Sequence, residues 1–96
     1  MMEEDTESKI FSATLYPNPA PAGDLNLQLN ARAEDGPVQV TLVDPLGREL
    51  YQAIYDADDL PSDQKLAISS SLPDGIYIVL INQGARQLKE RVMIKN

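Results

Sequence analysis

Hydrophobic and polar side chains alternate along two early stretches of this chain. In residues 25–31 the apolar Leu25, Leu27, Leu29 and Ala31 are separated by three polar residues, and residues 38–42 repeat the same spacing. A period of two residues places successive side chains on opposite faces of a β-strand. Both stretches are therefore predicted to be strands with one buried face and one solvated face.

Two further stretches are predicted to be strands from weaker patterns. Leu66 and Ile68 alternate with more polar or smaller neighbours, which predicts a third half-buried strand. Residues 50–55 fit either of two orientations: Tyr51, Ala53 and Tyr55 could face the core, or Leu50 and Ile54 could. The pattern does not decide between these two faces.

Residues 76–81 are apolar at every position, IYIVLI. A strand that is apolar on both faces is typical of the centre of a sheet, so this stretch is predicted to form the core. The alternative is that Ile76, Ile78 and Leu80 form an exposed apolar patch, which would mark an interaction surface. Residues 85–95 follow a tight turn at Gly84 and are predicted to complete a hairpin.

Prolines and glycines divide the chain into short segments. The seven prolines and five glycines fall in a few clusters between the apolar stretches, and turn residues about every ten positions indicate an all-β sandwich or barrel. In the first cluster, LYPNP, both Tyr16 and Asn18 precede a proline, which favours extended geometry and leaves few main-chain donors. Residues 15–19 are therefore predicted to form an edge strand.

Composition restricts the classes of function. The 96 residues suffice for one domain. With 15 acidic and 8 basic side chains the net charge is −7, which argues against nucleic acid or an anionic membrane surface as a partner. The chain has no cysteine and no histidine, so it lacks thiolate ligands and the commonest general base. No apolar run is long enough for a transmembrane segment, and the acidic residues 1–8 lack the features of an export peptide.

Asp44, Pro45, Leu46 and Gly47 satisfy the sequence rules of a type I turn. An aspartate at the first position accepts main-chain hydrogen bonds, proline suits the second, and glycine suits the fourth. Arg48 follows and could pair with Asp44, a contact that contributes no more than about 1 kcal/mol if it is exposed. The local pattern favours a structural turn in a bulged hairpin.

Two other motifs lie near the end of the chain. In LPDGIY, Tyr77 stands two residues after Gly75, which predicts a tyrosine corner whose hydroxyl bonds to the main chain upstream. In KERVMIKN, the basic side chains of Lys89, Arg91 and Lys95 alternate with Val92 and Ile94. These charges are typical of a solvated edge strand, or they could be recognised by an acidic receptor.

No catalytic, cofactor or metal site is predicted. The acidic loop that contains Asp56, Asp58, Asp59 and Asp63 lacks the glycine and the final glutamate of a calcium-binding EF-hand loop, so a solvated loop is favoured. The run Ser69–Ser71 has no base around it that would activate a hydroxyl. We therefore do not expect an enzyme.

Taken together, the spaced motifs resemble one family. YPNP, DxxGRE, LPxGxYxVxI and a lysine-rich last strand, in this order from about Leu15 to Lys95, resemble the type A C-terminal sorting domain of the type IX (Por) secretion system. The residues that carry the resemblance are Tyr16, Pro17, Asn18 and Pro19; Asp44, Gly47, Arg48 and Glu49; Leu72, Pro73, Gly75, Tyr77, Val79 and Ile81; and Lys89, Val92, Ile94 and Lys95.

The resemblance implies both a fold and a function. The fold would be an immunoglobulin-like β-sandwich of about seven antiparallel strands. The domain would be the C-terminal secretion signal of a larger cargo protein, exported through the periplasm to the cell surface or extracellular space. It would be recognised by the outer-membrane translocon and its shuttle, and removed by a sortase-like protease. Recognition residues implied by the family are Tyr16, Pro17, Asn18, Pro19, Asp44, Gly47, Arg48, Gly75, Tyr77, Lys89, Val92, Ile94 and Lys95.

The expected organisation is a tether followed by a folded domain. Residues 1–12 would be a flexible linker, either native or vector-derived, in which the protease cuts, and residues 13–96 would be the sorting domain. The cargo would precede the linker, and the apolar strand could support a weak dimer. The alternative is an immunoglobulin-like accessory module that binds carbohydrate or spaces catalytic domains, although a chain with no tryptophan and one phenylalanine offers little for sugar stacking.

Overall fold

The described part of the chain is built from β-strands. The computed structural model describes residues 11–31, 36–56 and 63–96, and none of these residues forms a helix, so none forms a membrane-spanning one. Seven strands follow in chain order: β1 (Ser12–Tyr16), β2 (Asn26–Asn30), β3 (Val38–Val43), β4 (Glu49–Tyr55), β5 (Asp63–Lys65), β6 (Gly75–Gln83) and β7 (Arg86–Ile94). The predicted all-β fold of about seven strands is confirmed.

The strands form two antiparallel sheets. One has the order β1-β2-β5 and the other the order β4-β3-β6-β7. Strand β6 lies between β3 and β7, as expected for the most apolar segment. A three-stranded sheet facing a sheet in which β6 is flanked by β3 and β7 is the arrangement of an immunoglobulin-like sandwich.

The core lies between the two sheets and follows the predicted alternation. On β6, the inward side chains of Val79 and Ile81 are fully buried, and Tyr77 is nearly so. Leu25, just before β2, is buried as well, and so are the alternating apolar residues of the other strands, which are Leu27, Leu29, Val38, Val40, Leu42, Val92 and Ile94. Burying each such side chain stabilises the fold by about 1.5–3 kcal/mol.

The strand predicted around Leu66 and Ile68 does not form at these residues. Strand β5 ends at Lys65, although both side chains are buried. The Leu66 N–H donates to the Leu25 carbonyl at 2.9 Å, but the Ile68 N–H donates to the carbonyl of Leu66 at 2.8 Å. This three-residue γ-turn interrupts the ladder while the alternating side chains stay in the core.

The structure decides the orientation of β4. Tyr51 and Tyr55 pack against the core, whereas Ile54 is 68% exposed. The pairing of Leu42 with Tyr51 and of Val43 with Glu49 leaves Leu50 in a bulge. This bulge explains why the sequence pattern fits neither face cleanly.

The outward face of β6 is apolar and partly exposed. Ile78 and Leu80 are half-buried, and Ile76 is exposed beside Met93 of β7, with which it pairs. The strand is therefore central within its sheet and also presents an apolar outer surface. Both of the interpretations offered by the sequence describe part of this strand.

Candidate functional site

The DPLG turn is held together by the carboxylate of Asp44. Its Oδ1 accepts hydrogen bonds from the N–H groups of Leu46 and Arg48, both at 2.9 Å, and its Oδ2 accepts from Nε of Arg48 at 2.6 Å. The Gly47 N–H donates to the Asp44 carbonyl at 2.9 Å, and Gly47 has a φ of 87°, which favours glycine. The Asp44 side chain is only 8% exposed and that of Arg48 is 73% exposed. Asp44 thus supports the turn and fixes Arg48 at the surface.

Hydrogen bonding makes the carboxyl of Asp44 more acidic. The hydrogen bond from the Arg48 N–H contributes most to holding the pKa of Asp44 below its ordinary value, burial opposes it, and the Arg48 guanidinium adds to the lowering. Because the folded pKa lies below the unfolded one, the resulting stability is present above the unfolded pKa. It is lost as the pH falls through the folded pKa.

We expect Asp44→Asn to lower the free energy of unfolding at pH 7 by more than at pH 3. The amide keeps an acceptor oxygen but loses the charge. At pH 3 the carboxylate of the unfolded parent chain is largely protonated, so the charge stabilises the folded parent protein less than at pH 7. Urea unfolding of both proteins at the two pH values measures the effect. A difference between the proteins that does not change with pH would contradict it.

The LPDG segment is fixed by Tyr77 and by the last residue. The Tyr77 hydroxyl donates to the Pro73 carbonyl at 2.7 Å and the ring is 6% exposed, so the predicted tyrosine corner is confirmed. Asn96 donates from its main chain to Oδ1 of Asp74 at 3.0 Å and from Nδ2 to the carbonyl of Leu72, also at 3.0 Å. These bonds join the loop before β6 to the end of the chain.

The YPNP segment differs from the extended course predicted for it. Strand β1 is an edge strand, as expected, but it ends at Tyr16, and residues 17–19 bend. The peptide bonds before Pro17 and Pro19 are both cis. The chain leaves the three-stranded sheet here and reaches the free edge of β7 in the other sheet.

Asn18 bonds to β7 in the way that a neighbouring strand would. Its Oδ1 accepts from the Met93 N–H at 3.0 Å, and its Nδ2 donates to the Arg91 carbonyl at 3.2 Å. Ala20 continues this contact, because its N–H donates to the Met93 carbonyl at 3.0 Å and its carbonyl accepts from the Lys95 N–H at 2.9 Å. We call residues 18–22 the strap, since the Ala22 N–H also donates to Oδ1 of Asn96 at 2.9 Å.

The four motifs meet around Ile76. A groove of about 360 Å³ in front of this side chain is lined by the DPLG turn with Arg48 and Leu50, and by residues 72–77. Smaller hollows on its other sides are bordered by Asn18, Arg91 and Met93, and by Asp74 and Lys95. We call this region, centred on Ile76 and reaching all four motifs, the Ile76 surface.

The residues implied by the family divide into two groups by burial. Those that are exposed are Tyr16, Pro17, Asn18, Pro19, Gly47, Arg48, Lys89 and Lys95; those that are buried or half-buried are Asp44, Gly75, Tyr77, Val92 and Ile94. The residues of the second group offer little surface to a partner. Its role in the structure is to hold the surface in place.

The sequence pattern offered Ile76 only as part of an alternative exposed patch and did not indicate Met93, although both lie at the centre of the site. The available signal was the apolar outer face of residues 76–81, which could equally belong to a covered strand. Asp58 and Asp59 of the predicted acidic loop lie outside the described residues. Within the described ranges, no group of acidic side chains is arranged to hold a metal ion.

Comparison with solved structures supports the fold. The chain is similar to part of PorZ, an essential bacterial surface component of the type IX secretion system of Porphyromonas gingivalis, with a TM-score of 0.68 and 18% identity. The match covers 88% of this chain and 12% of the PorZ chain. At this identity the likeness establishes the immunoglobulin-like fold alone.

Comparison of sequences identifies the family. No curated protein matches the chain significantly. The family model of the secretion system C-terminal sorting domain, however, matches residues 14–95, which include all four motifs. The chain therefore belongs to the C-terminal sorting domains, the secretion signals that direct proteins through the type IX system to the cell surface or extracellular space.

Proposed function

We propose that the type IX translocon recognises this sorting domain at the Ile76 surface. The observation that carries the proposal is that four motifs, spread from Tyr16 to Lys95, line the hollows around one exposed apolar side chain. Core packing alone does not require two loops, the first motif and the last strand to meet at one surface. A receptor that binds here would contact all four motifs at once.

The apolar groove and its basic surroundings indicate the chemistry of the receptor. Ile76, Leu50 and Met93 are 37–41% exposed, so covering them would remove apolar area from water. Arg48, Arg91 and Lys95 surround them in a chain whose net charge is −7. A receptor with an apolar projection and nearby carboxylates would complement this surface.

The domain serves as a signal, and its partners carry out the chemistry. In this proposal a sortase-like protease cuts in the segment that precedes the packed domain, and the cargo lies on the N-terminal side of that cut. Phe11 is 6% exposed and belongs to the core, and β1 begins at Ser12. Cleavage on the N-terminal side of Phe11 would leave the sandwich intact.

Site-specific cross-linking tests the recognition surface. A photoreactive residue is placed at position 76 or at position 54, and the cargo is expressed in a host with an intact type IX translocon. Ile54 is the matched control, because it is 68% exposed, lies on β4 and borders none of the hollows around Ile76. We expect cross-links to a translocon component from position 76 and none from position 54. Equal cross-linking from both positions, or cross-linking from position 54 alone, would overturn the proposal.

A further inference from the structure

The outer edge of β7 is only partly covered. Strand β7 pairs with β6 on one side and ends its sheet on the other. The turn between Gln83 and Arg86 has two residues, with Gly84 at a φ of 59°, which fits a tight hairpin. In such a hairpin alternate residues direct their N–H and C=O groups outwards. On β7 these are Gln87, Lys89, Arg91 and Met93.

The strap satisfies the outward groups at one end of β7. Asn18 bonds the Arg91 carbonyl and the Met93 N–H, and Ala20 bonds the Met93 carbonyl. Among the described residues, no hydrogen bond reaches the outward groups of Gln87 and Lys89, or the N–H of Arg91. Within the described ranges, residues 87–91 therefore form an open edge, of the length of a short strand.

The charges of the side chains along the open edge determine which kind of strand can pair with it. Lys89 and Arg91 are exposed, and in the described structure no carboxylate forms an ion pair with either. A second copy that paired edge to edge would bring like charges together, which is the usual protection of an edge strand. A strand with carboxylates at alternate positions would instead place opposite charges side by side.

We propose that the open edge of β7 binds an extended acidic segment of a partner protein by strand addition. Main-chain hydrogen bonds to residues 87–91 hold the segment, and Lys89 and Arg91 select its carboxylates. Asn18 limits the register, because its side chain occupies the next positions along the edge. The inference extends the proposed function by naming the chemistry of one contact, but its test does not depend on export.

A synthetic peptide of alternating valine and glutamate is the probe. We expect it to slow amide hydrogen exchange at Gln87, Lys89 and Arg91 of the intact domain. A peptide with lysine in place of glutamate should bind at least about tenfold more weakly. An acidic peptide N-methylated at alternate residues, on the side that would face β7, should also lose binding because it lacks the donors.

A pair of variants separates strand addition from simple charge attraction. Lys89→Gln removes the charge and keeps the N–H, whereas Lys89→Pro removes both. Proline is tolerated where an edge N–H points outwards, and Lys89 faces Leu80 at a position where β6 and β7 exchange no hydrogen bond. We expect Lys89→Pro to weaken peptide binding by about a further tenfold relative to Lys89→Gln. Thermal unfolding checks that both variants fold.

Several results would overturn the inference. One is that the acidic peptide, up to about 1 mM, leaves amide exchange on β7 unchanged. Another is that the N-methylated peptide binds as tightly as the unmodified one, or that the two Lys89 variants bind the peptide with equal affinity. Self-association of the domain through β7 would also overturn it. Recognition at the Ile76 surface would survive any of these results, because the cross-linking experiment measures it separately. Conversely, peptide binding without cross-links from position 76 would retain the open edge and remove the recognition proposal.

Discussion

Replacing Ile76 with glutamate is expected to block export of a reporter fused in front of this domain. The substitution places a charge at the centre of the Ile76 surface, where a receptor would otherwise cover an apolar side chain. The receptor would lose its apolar contact, and the new carboxylate would repel the receptor's carboxylates and compete with them for Arg48, Arg91 and Lys95. We expect secretion by a host with the type IX translocon to fall by at least about tenfold, as for a binding loss of about 1.4 kcal/mol.

The matched control for this export experiment is Ile54→Glu. Ile54 points outwards from the same sheet but belongs to β4, and it lines none of the hollows around Ile76 that were described above. Its variant should be secreted like the parent. Circular dichroism and thermal unfolding confirm that both variants fold. Normal secretion of a folded Ile76→Glu domain would contradict recognition at this surface.

Truncating Ile81 to alanine is expected to destabilise the domain by about 2–5 kcal/mol. Ile81 is fully buried on β6 and pairs with Val40 on one side and Leu88 on the other. The loss combines the transfer free energy of the deleted methyl groups with the cavity that they leave. Since domains of this size have unfolding free energies of about 5–15 kcal/mol, this one change removes a large share. Urea denaturation measures it.

Ile54→Ala provides the comparison for the effect of Ile81→Ala. The same atoms are removed from a side chain that is 68% exposed, so the expected change is within about 0.5 kcal/mol. Equal destabilisation by the two substitutions would mean that β6 is not the centre of the core.

The core could be predicted because its strands follow a simple period. Leu27 and Val40 lie at positions fixed by alternation, and a shift of one residue would expose every apolar side chain of their strands. The turn at Asp44 and the tyrosine corner at Tyr77 could also be predicted, because each depends on bonds within four residues. Hydrogen bonds between residues that are close in sequence can be predicted from a single sequence.

The site was harder to predict because its contacts are distant in sequence. Asn18 bonds main-chain groups of Arg91 and Met93, and no local pattern reveals which edge a side-chain amide will reach. Ile76 is an apolar residue of the kind found in cores, and only the sheet topology determines that its side chain is exposed. The family resemblance supplied the motifs, and the fold explains why they occur together.

The strap makes the folded domain depend on synthesis as far as β7. Its hydrogen bonds link residues 73 to 75 positions apart, so during synthesis Asn18 and Ala22 emerge long before their partners. In a chain that is terminated ahead of β7, those bonds cannot form and β6 lacks one of its two neighbouring strands. Termination before β7 would therefore remove both the strap bonds and the side of the Ile76 surface that Arg91 and Met93 form.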